Sequence, residues 1–520
     1  MNYATRYRSS VPETTILGIL TLVVVSALLL IAASPAQAQT EAVLYNFCQE
    51  GGVNCTDGRS PYAGLTPDGA GNLYGTTLSG GEAGDGIVFK LSPNGSGGWN
   101  ETVLYSFCSK GGSNCTDGAG PNGPVILDSA GNLYGTAGAG GRSGCCGVVF
   151  ELRPTGPNWT EAVLFSFCYK NTCTDGADPT SGVIFDPEGN LYGVTSQGGA
   201  NDYGTVFELS PDGNGWKERV IYSLPGGAFN PEGLTMDAAG NIFVVNSQTL
   251  YELSPNGNGG WNSAVIHTFT GSPKDGTGAM SAPVLDQDGN LYGTTYQGGR
   301  YGYGTVYTLS PGKHGKWIER ILYSFEGGVP SNNGINPSAA VVLDASGNIY
   351  GTTTAGGKNA LDFGTVFELV PQVGKSWYKE KVLWTFDYDD GENPLGSLIL
   401  DSGILYGTTF SGGTHLYGVA FEVNPSAAET ATALTSTPNP SASGDAVVFA
   451  AVVSPSPPDE ETVSFMEGST MLGTGSLTGG SAIFTTSTLP VGTSKITAVY
   501  GGDFNFLGST SNVLKQAVRK

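Results

Sequence analysis

The chain is poor in charge. Asp, Glu, Lys and Arg make up 13% of its 520 residues, and the acids outnumber the bases 45 to 23. A net charge of −22 repels phosphate backbones, which argues against nucleic acid as a partner. Histidine is scarcer still: only His267, His314 and His415 occur, at unrelated points of the chain. There is no Gly-x-Ser-x-Gly elbow, no His-Glu-x-x-His pair and no phosphate-binding loop, so the common hydrolase, metalloprotease and nucleotide signatures are absent. Paired carboxylates from distant segments are the catalytic arrangement that such a scan leaves open. No window carries a convincing helical period. Only one long apolar run occurs, over residues 16–33.

Glycine and repetition are what the chain has in quantity. Glycine accounts for 81 residues. A Gly-Asn-Leu-Tyr-Gly-Thr sentence recurs at 71–76, 131–136, 289–294, 347–352 (with Ile349 for Leu) and 403–408 (with Ile404 for Asn), with variants at 189–195 and 240–244. Self-similarity at fifty to sixty residues marks a repeat architecture. Around each core lie three further short runs: one like Val125-Ile126-Leu127-Asp128, one like residues 204–209 and one like residues 103–107. All are rich in Val, Ile, Phe, Tyr and Thr and bounded by Gly, Pro, Asn and Asp, which is the strand signature. An Asp-x-x-Gly-Asn turn recurs at 128–132, 186–190, 237–241, 286–290 and 344–348. Its Asp is suited to accept turn N–H groups, and its Gly to take positive φ. The Gly of the Leu-Tyr-Gly-Thr strand is expected to let neighbouring sheets approach closely. Trp99, Trp159, Trp216, Trp261, Trp317 and Trp377 are read as one structural slot that packs between sheets.

Seven copies of four strand types predict an all-β fold, a seven-bladed β-propeller over residues 41–425. The array starts with an outer-type strand at 43–47 that has no sheet before it, and ends with 418–423, which lacks an outer strand after it. The propeller is therefore expected to be closed by its N-terminal strand, which removes free edges. Residues 1–38 read as a signal peptide: Arg6 and Arg8, the apolar run, then Ala36-Gln37-Ala38 as a cleavage site. An uncleaved membrane anchor is the alternative. Residues 430–520 shift to Ser and Thr and lose Cys and Trp, and their alternating runs suit a small Ig-like β-sandwich with Phe449 or Phe465 in its core.

Eight cysteines fit an oxidising compartment. Cys48/Cys55, Cys108/Cys115 and Cys168/Cys173 are local pairs in loops that cross between sheets. Cys145 and Cys146 are adjacent, either bridged or free. An eight-residue disulfide loop stabilises by about 2–3 kcal/mol.

The repeat sentence, from Gly-Asn-Leu-Tyr-Gly-Thr-Thr through Gly-Thr-Val-Phe-Glu-Leu to Val-Leu-Tyr-Ser-Phe, resembles the bacterial GloVer tandem repeat of choice-of-anchor surface proteins. The C-terminal Pro-Asn-Pro-Ser and Ala-Val-Tyr-Gly-Gly-Asp stretches resemble a bacterial Ig-like repeat domain. The resemblance implies a secreted or cell-surface propeller and no defined activity. Residues 246–249 depart from it, replacing the usual Gly-Gly loop.

Strand order places the cysteines, the crossing loops and the Gly-Gly loops on one face. The slot before Gly-Thr-Val holds Asp85, Cys146, Tyr203, Tyr303, Phe363 and Tyr417. Tyr203, Tyr303, Phe363 and Tyr417 are candidate stacking platforms for a ligand; plugging the gaps between sheets is their alternative use. Asp387, Asp389, Asp390 and Glu392 offer oxygen ligands suited to calcium, or form a solvated turn. No other cofactor is expected. The leading expectation is a non-enzymatic binding or adhesion protein for an extracellular glycan or surface protein. A carbohydrate-active enzyme with carboxylates at the channel mouth, and a structural matrix component, are the alternatives.

Overall fold

The computed structural model describes residues 41–520 apart from 52–53, 169–171, 214, 227–232, 272, 328–332, 358–362, 376 and 504. The signal-peptide reading of residues 1–38 lies outside them. The described residues form an all-β protein with two single-turn 3-10 segments and no α-helix. None of its helical segments is long and apolar enough to cross a membrane. The chain divides into two compact units, one of residues 41–425 and one that includes residues 426–520.

The first unit consists of antiparallel sheets in chain order. The first contains Thr66–Pro67, Leu73–Thr77, Ile87–Pro93 and Trp99–Ser106, paired in that sequence. Later sheets repeat the arrangement. The final one differs in provenance: Ile399–Asp401, Ile404–Thr409 and Val419–Val423 are completed by Glu41–Asn46, antiparallel to Val419–Val423. In every sheet but the final one, whose first two strands are joined by Ser402-Gly403, the turn between the first two strands is built by its Asp. Asp128 Oδ1 accepts N–H bonds from Ala130 and Asn132 at 2.8 and 2.9 Å, and Oδ2 accepts from the Asn132 side chain. The same three bonds recur at Asp68, Asp186, Asp237, Asp286 and Asp344.

Leu-Tyr-Gly-Thr strands are buried on both faces, as in Leu73–Thr77 and Ile349–Thr353. Their glycine serves a purpose other than the expected approach of neighbouring sheets. Gly75 pairs across the ladder with Phe89, and a Cβ on Gly75 would lie 2.5 Å from that ring's Cζ. The same close contact joins Gly135 to Phe150, Gly193 to Phe207, Gly351 to Phe367 and Gly407 to Phe421. The missing side chain makes room for a phenyl ring of the same sheet, and those rings are fully buried. The threonine reaches the next sheet instead. Thr76 Oγ1 donates to Gly123 O at 3.0 Å, Thr294 to Ala339 O at 2.9 Å and Thr408 to Ala63 O at 2.9 Å.

The tryptophans pack across seams. Trp99 meets Tyr406 edge-on at 6.2 Å, Trp261 meets Tyr192 at 6.2 Å and Trp317 meets Phe243 at 5.6 Å. Trp377 is the exception and corrects the sequence reading. Pro311 pairs with Trp317, but the equivalent Pro371 pairs with Tyr378. A one-residue offset turns a strand side chain to the opposite face. Trp377 is accordingly 49% exposed, and Tyr378 takes the packing position.

A further seam contact is absent from the motif as read. The glycine before Thr-Val packs on a proline of the following sheet. A Cβ on Gly86, Gly147, Gly304 or Gly364 would lie 2.5–2.8 Å from Cδ of Pro121, Pro179, Pro337 or Pro394. Gly418 meets Pro61 in the same way, at 2.8 Å. These prolines follow residues in the left-handed region: Gly120, Asp178, Asn336, Asn393 and Ser60, with φ of 55–61°.

In the second unit, Ala431–Thr437, Val447–Ser454 and Ser481–Thr486 form one sheet. Thr462–Glu467, Thr470–Ser476, Gly492–Gly502 and Leu514–Arg519 lie in the other. Phe449 and Phe465 are both fully buried in the core between them, with centroids 6.3 Å apart.

Overpacking a filled core costs about 1–3 kcal/mol. Gly351→Ala, which drives a methyl into Phe367, is expected to lower the thermal midpoint clearly. Gly215→Ala, at a site whose nearest atom lies 3.9 Å away, is expected to leave it nearly unchanged. Differential scanning calorimetry of the two variants distinguishes them.

Candidate functional site

Two features concentrate functional chemistry: an interior cavity and the seams between outer strands. The cavity has a volume of about 760 Å³. It is lined by segments 62–66, 122–126, 180–181, 280–281, 338–339 and 393–399, which precede or open the first strand of successive sheets. Among the described residues its lining holds no Asp, Glu, Lys, Arg or His. Tyr62, Tyr296, Met280 and Leu395 supply apolar surface, and Tyr62 meets Phe410 edge-on at 6.2 Å. Asn122 Oδ1, Ser281 Oγ and Ser338 Oγ are buried in this wall without a hydrogen-bond partner. Buried polar atoms of this kind require water or a ligand. The described part of the wall is therefore neutral, partly aromatic and short of hydrogen bonds. The carboxylate pair that a glycosidase-type reaction needs does not appear in it among the described residues.

Sequence reasoning did not find these residues. They come from the same position of different repeats, where the residue type varies from Tyr62 to Asn122 to Met280, so no motif marks them.

The aromatics of the Gly-Thr-Val slot are placed on separate seams and are not brought together. The Tyr203 ring covers Gly226, where a Cβ would lie 2.3 Å from Cε2, and the Tyr303 ring covers Gly327. Phe363 stacks obliquely on Tyr388 at 5.5 Å. The Arg59 guanidinium sits over Tyr417 at 5.8 Å. Tyr203, Tyr303 and Tyr417 nevertheless stay largely exposed. Their backbones serve the seams: the carbonyls of Asp85, Cys146, Tyr303, Phe363 and Tyr417 accept N–H bonds of 2.8–3.1 Å from Gly120, Asp178, Asn336, Asn393 and Ser60.

Cysteines close four disulfides: Cys48–Cys55, Cys108–Cys115, Cys145–Cys146 and Cys168–Cys173. The crossing loops and Gly-Gly loops share a face, because Gly81, Gly141 and Gly199 donate N–H to the carbonyls of Cys55, Cys115 and Cys173. Asp387, Asp389, Asp390 and Glu392 do not converge on one point; they belong to no cluster of three ligand atoms among the described residues. Asp390 is occupied within the protein, accepting from Trp384 Nε1 at 3.0 Å and from the Asp387 N–H at 2.9 Å.

The seams hold a set of buried acids. Two residues after Trp99, Trp159, Trp216 and Trp317 the outer strand carries Glu101, Glu161, Glu218 and Glu319, with Glu380 two after Tyr378; Trp261 is followed by Ser263 instead. Glu101, Glu161, Glu319 and Glu380 face acids of the preceding crossing loop, Asp57, Asp117, Asp275 and Glu326. Glu101 feels Asp57, and burial first and then that charge push its carboxyl up to about 8. Burial, with the nearby Glu326 charge, brings Glu380 to about 7 although Tyr323 donates to it at 2.6 Å. Glu41 holds the corresponding place in the final sheet: burial, then Asp390 and Asp387, push it up to about 9. Lys110 bonds Glu161 at 2.7 Å and offsets the burial of that carboxyl.

Residues 32–249 and 231–447 both match the model of the Gloeobacter/Verrucomicrobia repeat. The chain belongs to the Gloeobacter/Verrucomicrobia repeat family. Residues 434–519 match the bacterial Ig-like domain, group 3. No curated protein matches. Solved structures overlap this repeat protein weakly. An extracellular domain assigned to a hybrid two-component system of B. thetaiotaomicron is 12% identical, with 93% of this chain and 58% of that chain covered and a TM-score of 0.46. One assigned to a one-component system of the same organism gives 12%, 92%, 59% and 0.44. The polysaccharide lyase Uly1 gives 11%, 75%, 99% and 0.43. The chain thus spans under two thirds of the two B. thetaiotaomicron domains. At these values neither fold nor activity transfers to the repeat protein.

The raised glutamates fix a pH dependence. An acid whose folded value exceeds its ordinary 4.5 stabilises fully below 4.5 and ceases to do so as pH rises through the folded value. For Glu380, Glu101 and Glu41 the loss therefore accrues from about pH 4.5 up to about 7, 8 and 9 respectively. Burial disfavours the charge of the turn carboxyls Asp68, Asp128, Asp286 and Asp344, but their donated hydrogen bonds outweigh it and hold them below 3.8, so their contribution is lost in strong acid. The thermal midpoint is expected to be higher near pH 6 than at pH 9, and Glu101→Gln with Glu380→Gln to flatten that decline. A pH series of melting curves checks both.

Proposed function

We propose that this is an exported, non-enzymatic binding protein whose seven sheets close into a seven-bladed β-propeller. Glu41–Asn46 completes the last blade, and the Ig-like sandwich of residues 430–520 serves as a spacer. Closure is supported by the likeness of the seam at Gly418/Pro61 to the other seams, and by the last-to-first bonds Thr408–Ala63 and Ser60–Tyr417. The ligand is a neutral, hydroxyl-rich molecule of the glycan class bound in the cavity, with the exposed Tyr203, Tyr303 and Tyr417 on the loop face around it.

One observation carries this reading: a cavity of about 760 Å³, within the ordinary range for small-molecule sites, is lined by aromatics and by unpaired neutral acceptors and hydroxyls. Sugar rings stack on Tyr62 and Tyr296, and their hydroxyls satisfy Asn122, Ser281 and Ser338. Among the described lining residues a charged ligand would find no counter-ion. Four disulfides favour an oxidising compartment, in keeping with secretion or cell-surface display.

A glycan array with the full chain is expected to give neutral glycan hits. Tyr62→Ala and Tyr296→Ala are each expected to weaken them about tenfold in titration calorimetry. Absence of hits, or hits that ignore both substitutions, would overturn the proposal; cleavage of a bound glycan would establish the enzymatic alternative in its place.

A further inference from the structure

We propose that His267, Asp275 and Glu319 hold a divalent transition-metal ion of the zinc class at the seam between the fourth and fifth sheets. His267 lies on the outer strand Trp261–Thr268, Asp275 on the crossing loop that follows, and Glu319 on the outer strand Trp317–Ser324 of the next sheet. Their ligand atoms lie within 4.8 Å of one another. His267 Nε2 is 3.5 Å from Asp275 Oδ1 and 3.6 Å from Glu319 Oε1. Good hydrogen bonds between such atoms are about 2.7–3.2 Å long. Two ligand atoms held about 2.1 Å from a tetrahedral ion stand about 3.4 Å apart. The observed separations suit an interposed ion better than direct contact.

Three independent features support the site. Glu319 Oε1 is buried and has no hydrogen-bond donor. Asp275 is oriented from behind: its Oδ2 accepts from the Thr270 N–H at 2.7 Å and the Thr270 hydroxyl at 2.8 Å, which leaves Oδ1 turned to His267. Outer contacts of this kind fix the geometry of metal-bound carboxylates. The His267 ring is held edge-on to Phe269 at 4.6 Å. Neutral imidazole and two carboxylates balance a divalent cation in charge, and water completes the coordination.

The comparison with the other sheets sharpens the case. By strand register, His267 occupies the position of Tyr45, Tyr105, Phe165, Tyr222, Tyr323 and Trp384. At three of those seams a neutral donor fills the loop carboxylate: Tyr45 to Asp57 at 2.8 Å, Tyr105 to Asp117 at 2.7 Å and Trp384 to Asp390 at 3.0 Å. Only this seam replaces that donor with a ligand nitrogen.

The test uses the full oxidised chain, with Zn²⁺ and Co²⁺ as probes. After loading and dialysis, elemental analysis is expected to find one equivalent of zinc, and Co²⁺ to give the visible spectrum of a nitrogen- and oxygen-bound site. His267→Tyr restores the residue that four other sheets carry, so it is expected to fold while losing the metal and the rise in thermal midpoint that the metal brings. Glu319→Gln is expected to lose it as well, and Thr270→Val to weaken it about tenfold. Wild-type protein that retains no ion, or a folded His267→Tyr that retains the full equivalent, would overturn the assignment.

Discussion

The seam between adjacent sheets is the constraint on which the remaining structure depends. A strand such as Leu73–Thr77, buried on both faces, cannot be stable in an isolated sheet. Its neighbours must cover it, and they do so through a small set of recurring contacts. A glycine without a side chain accepts a proline ring, a slot carbonyl accepts the N–H of a left-handed residue just before that proline, and a threonine hydroxyl reaches across to a backbone carbonyl. Each bond is worth about 1 kcal/mol net. Recurrence of the proline contact at five seams makes the sum large and holds the sheets there in the same pose. The cavity wall follows from this, because Tyr62, Asn122, Thr180, Ser338 and Leu395, each directly after a seam proline, all line it.

The seams also carry the protein's unusual electrostatics. A chain of net charge −22 would be expected to keep its acids in water, yet Glu41, Glu101 and Glu380 are placed against neighbouring loops where burial holds their protons. Neutral glutamic acid packs there without a counter-ion, whereas ionised pairs would push the sheets apart. Acidic surface and protonated seams are compatible because they are separated in space: the charge lies on loops and the protons lie between sheets. One seam departs from this pattern by offering an imidazole, and there the two carboxyl groups acquire a common focus.

Much of this was legible in the sequence, for identifiable reasons. Alternating runs and the Asp128-type turns announce their own conformation, since a strand's period and a turn's side-chain bonds are local. The pairing of Glu41–Asn46 with Val419–Val423 followed from counting strand types. Reading failed where partners are distant. Gly75 was assigned to the wrong neighbour, because no sequence pattern says whether a Phe ring or a second sheet fills the space. Trp377 was aligned by identity, and a one-residue offset moved it to solvent. The glutamates two residues after four of the packing tryptophans stand at constant spacing, but their burial is a tertiary property. Tyr62, Asn122 and Met280 share a position and no residue type, so the cavity they line had no signature.

The central claim is that the first strand of the array is an integral outer strand, with the same seam on its far side as every other. Residue-resolved hydrogen exchange of the oxidised full chain addresses it directly. The account predicts that the amides of Glu41–Asn46 bonded to Val419–Val423 are protected as strongly as those of Trp317–Ser324 bonded to Thr305–Pro311. Exchange of Glu41–Asn46 at the rate of a free terminus, while the other outer strands remain protected, would contradict it.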